Sequence, residues 1–222
     1  MEEIVVSRRK IEKEKSTLKR ISKIFWIFII GSVIGYIIEM IVGLVQNGHF
    51  VSKQGLLFGP FSQVYGVGLV IYYLVIPCNR KWIRIFIFSM FLGGITEYIF
   101  SYFQELIFGT ISWDYSNLLF NINGRTSLLH CIYWGIGGIL FVKFIRPHLE
   151  KLDKLYNKKS FKIVTVIFTI FIIFDIIISS LACIRQEQRR ENIPPKTNIG
   201  KFLDTYYKDE VLNKIYSNAK EI

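Results

Sequence analysis

Hydrophobic residues fall into five long runs separated by short polar or charged segments. The runs cover approximately residues 24–45, 57–78, 85–106, 128–145 and 161–182. A run of about twenty apolar residues is long enough to cross the ~30 Å hydrocarbon core of a bilayer as an α-helix. The pattern predicts an all-α, polytopic transmembrane bundle of about five spans over residues 24–184. A basic segment precedes it at residues 1–23, and a polar tail follows at residues 185–222.

A weak internal repeat relates the first four runs. Glu39 in the first run and Glu97 in the third are each followed by the letters LLF, an aromatic-glycine pattern and a proline. The matched segments are Leu56–Phe58 with Leu118–Phe120, Tyr65–Gly68 with Tyr133–Gly137, and Pro77 with Pro147. This predicts a duplicated helical hairpin in parallel orientation plus one extra helix. Aligning the halves requires gaps in the loop, so chance similarity is the alternative.

Basic residues are concentrated in alternate loops. The segment before the first run carries eight Lys and Arg residues, the second loop three and the fourth loop six, whereas the first and third loops carry one each, Lys53 and Arg125. Cytoplasmic loops carry the excess of Lys and Arg, so we predict a multi-pass plasma-membrane protein with a cytoplasmic N-terminus. Topology in the lipid bilayer explains the net charge of +11, and no nucleic-acid partner is predicted.

The polar tail does not fit this rule. Five spans place residues 185–222 outside, yet the tail carries eight Lys and Arg residues. Either it is translocated after the upstream helices are fixed, or the fifth run does not fully cross. Leu203, Tyr207, Val211 and Ile215 share one face of a short amphipathic helix within it. The partner of that face is either the membrane surface or the protein itself.

Three glycines and one glutamate form a stripe along the first run. It consists of Gly31, Gly35, Glu39 and Gly43, which are spaced by four residues. Such positions fall on one side of a helix, and glycines there allow a second helix to approach closely. Gly93 precedes Glu97 by the same interval in the third run. The four glycines are therefore predicted to be helix-packing positions.

Acidic side chains inside the apolar runs are the main candidates for function. Glu39, Glu97 and Asp175 lie in runs of the same predicted direction, which places them in the outer part of the membrane or near its middle. An acid at the centre of a span costs about 2.5–3.5 kcal/mol on insertion scales. These side chains should therefore face the bundle interior, a wet cavity or a partner charge. They form either a functional site or structural groups held by hydrogen bonds.

The third loop adds candidates for a polar site near the outer leaflet. Its only basic residue, Arg125, is a counterion for Glu97 if the loop dips into the membrane, and for Glu105 if it does not. The candidate site consists of Glu39, Glu97, Asp114, Asn121, Asn123 and Arg125, with Glu105, His130 and Asp175 as secondary candidates.

Catalytic and cofactor signatures are weak throughout the sequence. A metal site from His130 with Glu39 and Glu97 can be drawn, but no spacing requires it, so no metal or other cofactor is predicted. Neither a phosphate-binding glycine loop nor a nucleophile elbow occurs in the sequence. The chain is therefore not predicted to be an enzyme.

Four sequence features carry a resemblance to a known family. They are Glu39, GLLFGPFSQVYG at residues 55–66, Glu97, and WDYSNLLFNINGR at residues 113–125. Together they resemble the ABC-transporter type IV family of small, permease-like bacterial membrane proteins over roughly residues 35–154. Ser62-Gln63 departs from the Cys-Pro that the family leads us to expect, so a turn imposed by that proline is in doubt.

The resemblance implies a permease subunit that moves an unidentified substrate and is driven by a separate ATPase. The loop from Arg146 to Ser160 is the internal loop long enough for such a partner to grip. A non-transporting scaffold or sensor, in which the buried acids and glycines serve helix packing, is the alternative. Self-association into a homo-oligomer is a further expectation.

Overall fold

Helices make up most of the protein. The computed structural model describes residues 2–49 and 52–221; Met1 and Ile222, at the ends of the predicted basic segment and tail, lie outside the described residues. The helices are α1 (Glu2–Asn47), α2 (Gln63–Val75), α3 (Trp82–Phe108), α4 (Leu128–Leu140), α5 (Arg146–Leu155), α6 (Lys159–Arg190), α7 (Asn198–Tyr206) and α8 (Asp209–Ile215). This confirms the predicted all-α class.

Strands in the described part of the chain are limited to four pieces of two residues each. They are β1 (Thr110–Ile111), β2 (Asn121–Ile122), β3 (Thr126–Ser127) and β4 (Lys220–Glu221). The pairs β1–β4 and β2–β3 are both antiparallel. The second pair closes the loop between α3 and α4 on itself, and the first joins that loop to the end of the chain.

Within the described residues, four helical stretches are long and apolar enough to cross a membrane. They are Ser16–Val45, Trp82–Phe108, Leu128–Leu149 and Lys159–Arg190. On α6, large apolar side chains such as Ile170 are exposed, whereas Asp175 and Ser179 are buried. Soluble helices show the opposite distribution, and a bundle whose outer surface contacts lipid shows this one. The chain is therefore a membrane protein.

In place of one long helix, the second apolar run is covered by the end of an irregular segment and by a short helix. The irregular segment, residues 52–62, packs its buried Leu56 and Phe61 with Ile29 of α1 and Ile172 of α6. Its last amide, that of Ser62, donates to the carbonyl oxygen of Ser32 at 3.0 Å. Because Ser32 lies midway along the apolar stretch of α1, the segment reaches that depth before α2 begins.

Local backbone chemistry explains why this run is not one long helix. Gly59 adopts φ +81°, which favours glycine over other residues, and Pro60 has no amide hydrogen to donate. Helix α2 therefore begins only at Gln63 and has 13 residues, which corresponds to about 20 Å. By itself, α2 is shorter than a membrane span.

Two antiparallel hairpins, α1–α2 and α3–α4, pack against each other through aromatic rings. A Cβ atom at Gly35 would lie closer than 3.0 Å to the ring of Tyr65, and one at Gly93 equally close to that of Trp134. The rings of Tyr65 and Trp134 stack with centroids 5.1 Å apart. Each hairpin thus places a ring on a glycine of its longer helix, while the duplication itself stays a prediction.

A π-helical turn, Phe141–Ile145, joins α4 to α5. The amide of Arg146 donates to the carbonyl oxygen of Phe141, five residues earlier, and Pro147 cannot continue the α-helical pattern because it lacks an amide hydrogen. Lys143 in this turn donates to the carbonyl oxygens of Cys78 and Arg80, both at 3.0 Å. The turn therefore joins the start of α5 to the loop between α2 and α3.

The C-terminal cap, residues 191–221, packs on the end of α6. Leu203 of α7 and Leu212 of α8 are buried with Ala182 of α6 and with Leu57. The cap contains two helices, whereas one amphipathic helix was predicted, because the chain bends before Asp209 and Glu210, whose charges favour a new helix start. Its apolar face packs on the protein itself.

Salt bridges fasten the cap to α6. Buried Arg185 donates to both carboxylate oxygens of Asp204, at 2.8 and 2.9 Å, and Arg189 donates to Asp204 at 2.8 Å. The hydrogen bonds from Arg185, joined by those from Arg189, lower the pKa of Asp204 below its usual range. Two arginines at the end of one helix therefore share one carboxylate of the cap.

Acidification is expected to release the cap. The contribution of Asp204 to stability is complete above its unfolded-state pKa of about 3.9 and is lost as the pH falls through the lower folded-state pKa. At neutral pH, Asp204→Asn should destabilise cap docking by about 1 kcal/mol, because the amide keeps one acceptor but loses the charge. Proteolysis of the cap in detergent would measure this. Glu210→Gln, at an exposed position of the same cap, is the control; equal cleavage of the two variants would contradict the expectation.

Candidate functional site

Glu39 receives two hydrogen-bond donors in the C-terminal half of α1. The hydroxyl of Tyr65 donates to Oε1 at 2.7 Å, and the ammonium of Lys53 lies 2.9 Å from Oε2. The carboxylate side chain is 30% exposed. Tyr65 comes from α2 and Lys53 from the irregular segment, so Glu39 joins three parts of the first hairpin.

The glycine stripe gives these two side chains their room. Gly35 admits the Tyr65 ring, and a Cβ at Gly43 would lie 3.6 Å from Cε of Lys53. Gly31 instead faces helix α2, where a Cβ would lie 3.1 Å from the Cα of Gly66. The stripe therefore combines close helix packing at Gly31 with space for two side chains whose polar ends meet at Glu39.

Glu97 is the equivalent acid of the second hairpin. It is only 6% exposed. The hydroxyl of Tyr115 donates to its Oε1 at 3.1 Å, and the hydroxyl of Thr126 donates to its Oε2 at 2.8 Å. Both donors belong to the loop between α3 and α4. Each of the two acids therefore accepts a hydrogen bond from a tyrosine hydroxyl and from a second group, which lies in the loop between the two helices of its own hairpin.

The two glutamates lie in one electrostatic neighbourhood. Burial, followed by the charges of Glu97 and Glu39, raises the pKa of the Tyr115 phenol far above its usual range. The phenol therefore stays protonated and remains a hydrogen-bond donor at any physiological pH. Within the described residues, the ion pair found at these two carboxylates is that between Glu39 and Lys53.

Arg125 pairs with Glu105 and not with Glu97. Its guanidinium forms an ion pair with the Glu105 carboxylate and lies over the rings of Tyr98 and Tyr102, 5.8 and 5.5 Å from their centroids. Of the two alternatives that the sequence left open, the structure shows the one in which the loop does not carry Arg125 down to Glu97. Arg125 therefore fastens the third loop to the outer end of α3.

Three further candidates organise that loop. Asp114 accepts the amide of Ser116 at 2.9 Å, and this hydrogen bond lowers the pKa of Asp114. Asn121 donates to the carbonyl oxygens of Ser116 and Leu118 and accepts the amide of Gly124. Asn123 donates to the hydroxyl of Tyr98 at 3.1 Å. These side chains bond to the loop and to α3, and none of these hydrogen bonds reaches the two glutamates.

His130 and Asp175 occupy different places. The His130 ring stacks on Tyr115 with centroids 3.6 Å apart, and its Nδ1 lies 2.8 Å from the Ser127 hydroxyl. It therefore supports the tyrosine that bonds Glu97. Asp175 instead holds the irregular segment, because its Oδ1 accepts the amide of Phe58 at 3.2 Å and the hydroxyl of Ser179 at 3.0 Å.

Sequence reasoning missed Lys53, Tyr65 and Tyr115 as partners of the acids. A signal for Lys53 was present, because it is the only basic residue of the first loop, as Arg125 is of the third. Both tyrosines lie in motifs that carried the family resemblance, Tyr65 in GLLFGPFSQVYG and Tyr115 in WDYSNLLFNINGR. Their hydroxyls gave no separate sign that they would converge on buried carboxylates.

Comparison with protein families identifies the chain. The family model described as Putative ABC-transporter type IV matches residues 26–180. The chain belongs to this family. The match to the ABC-transporter type IV family includes both glutamates, the loops within both hairpins and most of α6, while the C-terminal cap lies beyond it. No curated protein and no solved structure matches the chain.

Proposed function

We propose that this chain is the permease subunit of a transporter in the plasma membrane, driven by a separate ATPase on the cytoplasmic side. Its polar site lies near the outer leaflet and is built around Glu39 and Glu97. Family membership and the four candidate spans support the transporter class. The distribution of Lys and Arg among the loops supports a cytoplasmic N-terminus.

The second crossing combines the irregular segment with α2. Irregular backbone exists at membrane depth only where protein or a wet cavity shields it, and residues 52–62 lie between α1 and α6. Ser179 accepts the amide of Leu57 at 2.8 Å, and Asp175 accepts that of Phe58. With this crossing the chain passes the membrane five times, and the C-terminal cap lies outside with the first and third loops.

The observation that carries the proposal is the position of α2 between the polar site and α5. At the outer end of α2, Tyr65 bonds Glu39. At its inner end, the guanidinium of Arg146 lies 4.7 Å from the centroid of the Tyr73 ring and donates to the carbonyl oxygen of Ile76. A force applied to α5 by an ATPase would therefore act on Tyr65 and Glu39 through one short helix.

Co-purification tests the proposed partner. The protein would be lightly crosslinked in its native membrane, purified in mild detergent, and its partners identified by mass spectrometry. An ATPase in stoichiometric amount is expected, and Lys154→Glu on the exposed face of α5 should reduce its recovery several-fold. Lys201→Glu, on the exposed face of α7, is the matched control. Recovery of the chain alone, with no ATPase, would contradict the proposal.

A scaffold or sensor is the second candidate function. The favouring observation is that both oxygens of each glutamate already accept hydrogen bonds within the protein. In that case Glu39 and Glu97 would only fasten the external loops to their hairpins, and their neutralisation would chiefly change stability or self-association in detergent.

Glu97→Gln separates the two candidates. Gln has the same shape, and the hydroxyls of Tyr115 and Thr126 can rotate to accept its amide hydrogens, so thermal stability should change by less than about 1 kcal/mol. A permease should lose at least about tenfold in the ATP hydrolysis of the co-purified complex, because position 97 would no longer carry a carboxylate in the proposed site. Glu210→Gln, at an exposed position of the cap, is the control. Unchanged hydrolysis with altered oligomer size would instead support the scaffold.

A further inference from the structure

The C-terminal cap contacts the first loop next to the partner of Glu39. The hydroxyl of Ser52 donates to the carbonyl oxygen of Ile215 at 2.9 Å. In return, the hydroxyl of Ser217 donates to the carbonyl oxygen of Ser52 at 2.6 Å. The residue that follows Ser52 is Lys53, whose ammonium pairs with Glu39. Two reciprocal hydrogen bonds therefore fix the backbone immediately beside this ion pair.

The same cap contacts the third loop next to the partners of Glu97. The strand β4 pairs with β1, and the amide of the Asn218 side chain donates to the carbonyl oxygen of Ser112 at 3.2 Å. Ser112 is followed by Trp113, which bonds the carbonyl oxygen of Arg125 at 2.8 Å, and two residues further on by Tyr115. The cap thus joins the external loops of both hairpins.

The strength of the cap's contacts differs between its neighbours. Apolar packing with Ala182 and Leu57, together with the ion pairs of Arg185 and Arg189, holds it on α6 and on the first loop. Within the described residues, its hydrogen bonds to the third loop are those of the two-residue β1–β4 pairing and that of the Asn218 side chain. Polar contacts of this kind, at an exposed edge, contribute less than buried apolar area.

We propose that the C-terminal cap is a strap that holds the outer ends of the two hairpins together over Glu39 and Glu97. The third loop is the side that releases, while α6 and the first loop keep the cap. Release would let the α3–α4 hairpin move away from the α1–α2 hairpin at the outer surface and would expose the carboxylates to water. This strap is independent of transport and applies equally to a scaffold.

Hydrogen–deuterium exchange of the purified full chain in detergent tests the strap. Asn218→Ala removes the side-chain bond to Ser112 and is expected to raise exchange in residues 110–127 about tenfold. Exchange in residues 52–62 and in α7 should stay unchanged. Thr205→Ala is the matched control, because the Thr205 hydroxyl donates to the carbonyl oxygen of Lys201 within α7 itself.

The protection of α7 shows whether the variant remains folded. With α7 protected, a rise confined to the third loop supports the strap. Unchanged exchange in that loop would overturn it, because the cap would then not restrain the α3–α4 hairpin. An equal rise in both loops and in α7 would also overturn it, since the cap would be part of one cooperative unit and not a strap with a releasing side.

Discussion

Gly93→Ala should destabilise the protein by about 3 kcal/mol, at the upper end of what overpacking a core costs. The added methyl group would lie closer than 3.0 Å to the ring of Trp134 and to its Cβ. Because the Cβ belongs to the base of the side chain, α4 itself would have to move. The ring cannot turn aside, since it is stacked on Tyr65 and meets the edge of Tyr72 with centroids 6.2 Å apart.

Gly137→Ala provides the matched control for this prediction. Gly137 lies in α4, and nothing stands within 4 Å of the position that its Cβ would take. Alanine there should leave stability unchanged or raise it by about 0.5–1 kcal/mol through helix propensity. Thermal unfolding in detergent, followed by tryptophan fluorescence, measures both variants. Equal stability of the two would mean that the ring–glycine contact does not hold the hairpin.

The sequence predicts the spans well and the second crossing poorly. Length and apolarity decide where a helix can lie in a membrane, so four of the five runs correspond to long helices. The run from residue 57 to residue 78 has the composition of a span, but Gly59 and Pro60 interrupt the helix inside it. Such an interruption is stable only because Asp175 and Ser179 of a distant helix bond its free amides, and hydropathy carries no information on that contact.

The candidate site, too, is predicted from the sequence only in part. The shared neighbourhood of Glu39 and Glu97 is what the predicted repeat leads us to expect, since equivalent acids on two helices of the same direction lie at the same depth. The choice of counterion does not follow, because it depends on how each external loop folds. In the third loop, hydrogen bonds of Asn121 close the backbone so that Arg125 faces Glu105. In the first loop, the backbone runs beside α1 and places Lys53 next to Glu39.

Replacement of Asp175 tests whether the irregular segment depends on α6. Asp175→Ala should cost about 3 kcal/mol, because the amide of Phe58 would lose its acceptor and the hydroxyl of Ser179 would lose the same partner in a buried setting. Hydrogen exchange should rise in residues 52–62, and thermal unfolding in detergent should occur at lower temperature. The irregular segment would then lose its attachment to α6.

Asp175→Asn distinguishes hydrogen bonding from charge at this position. The side-chain carbonyl of asparagine still accepts the amide of Phe58, so most of the stability should return if Asp175 acts as an acceptor. Ser180→Ala is the control, because the Ser180 hydroxyl bonds to the carbonyl oxygen of Ile176 within its own helix. If asparagine proves as harmful as alanine, the negative charge itself is required. Asp175 would then be a further charged candidate for the proposed polar site, together with the irregular segment that it holds.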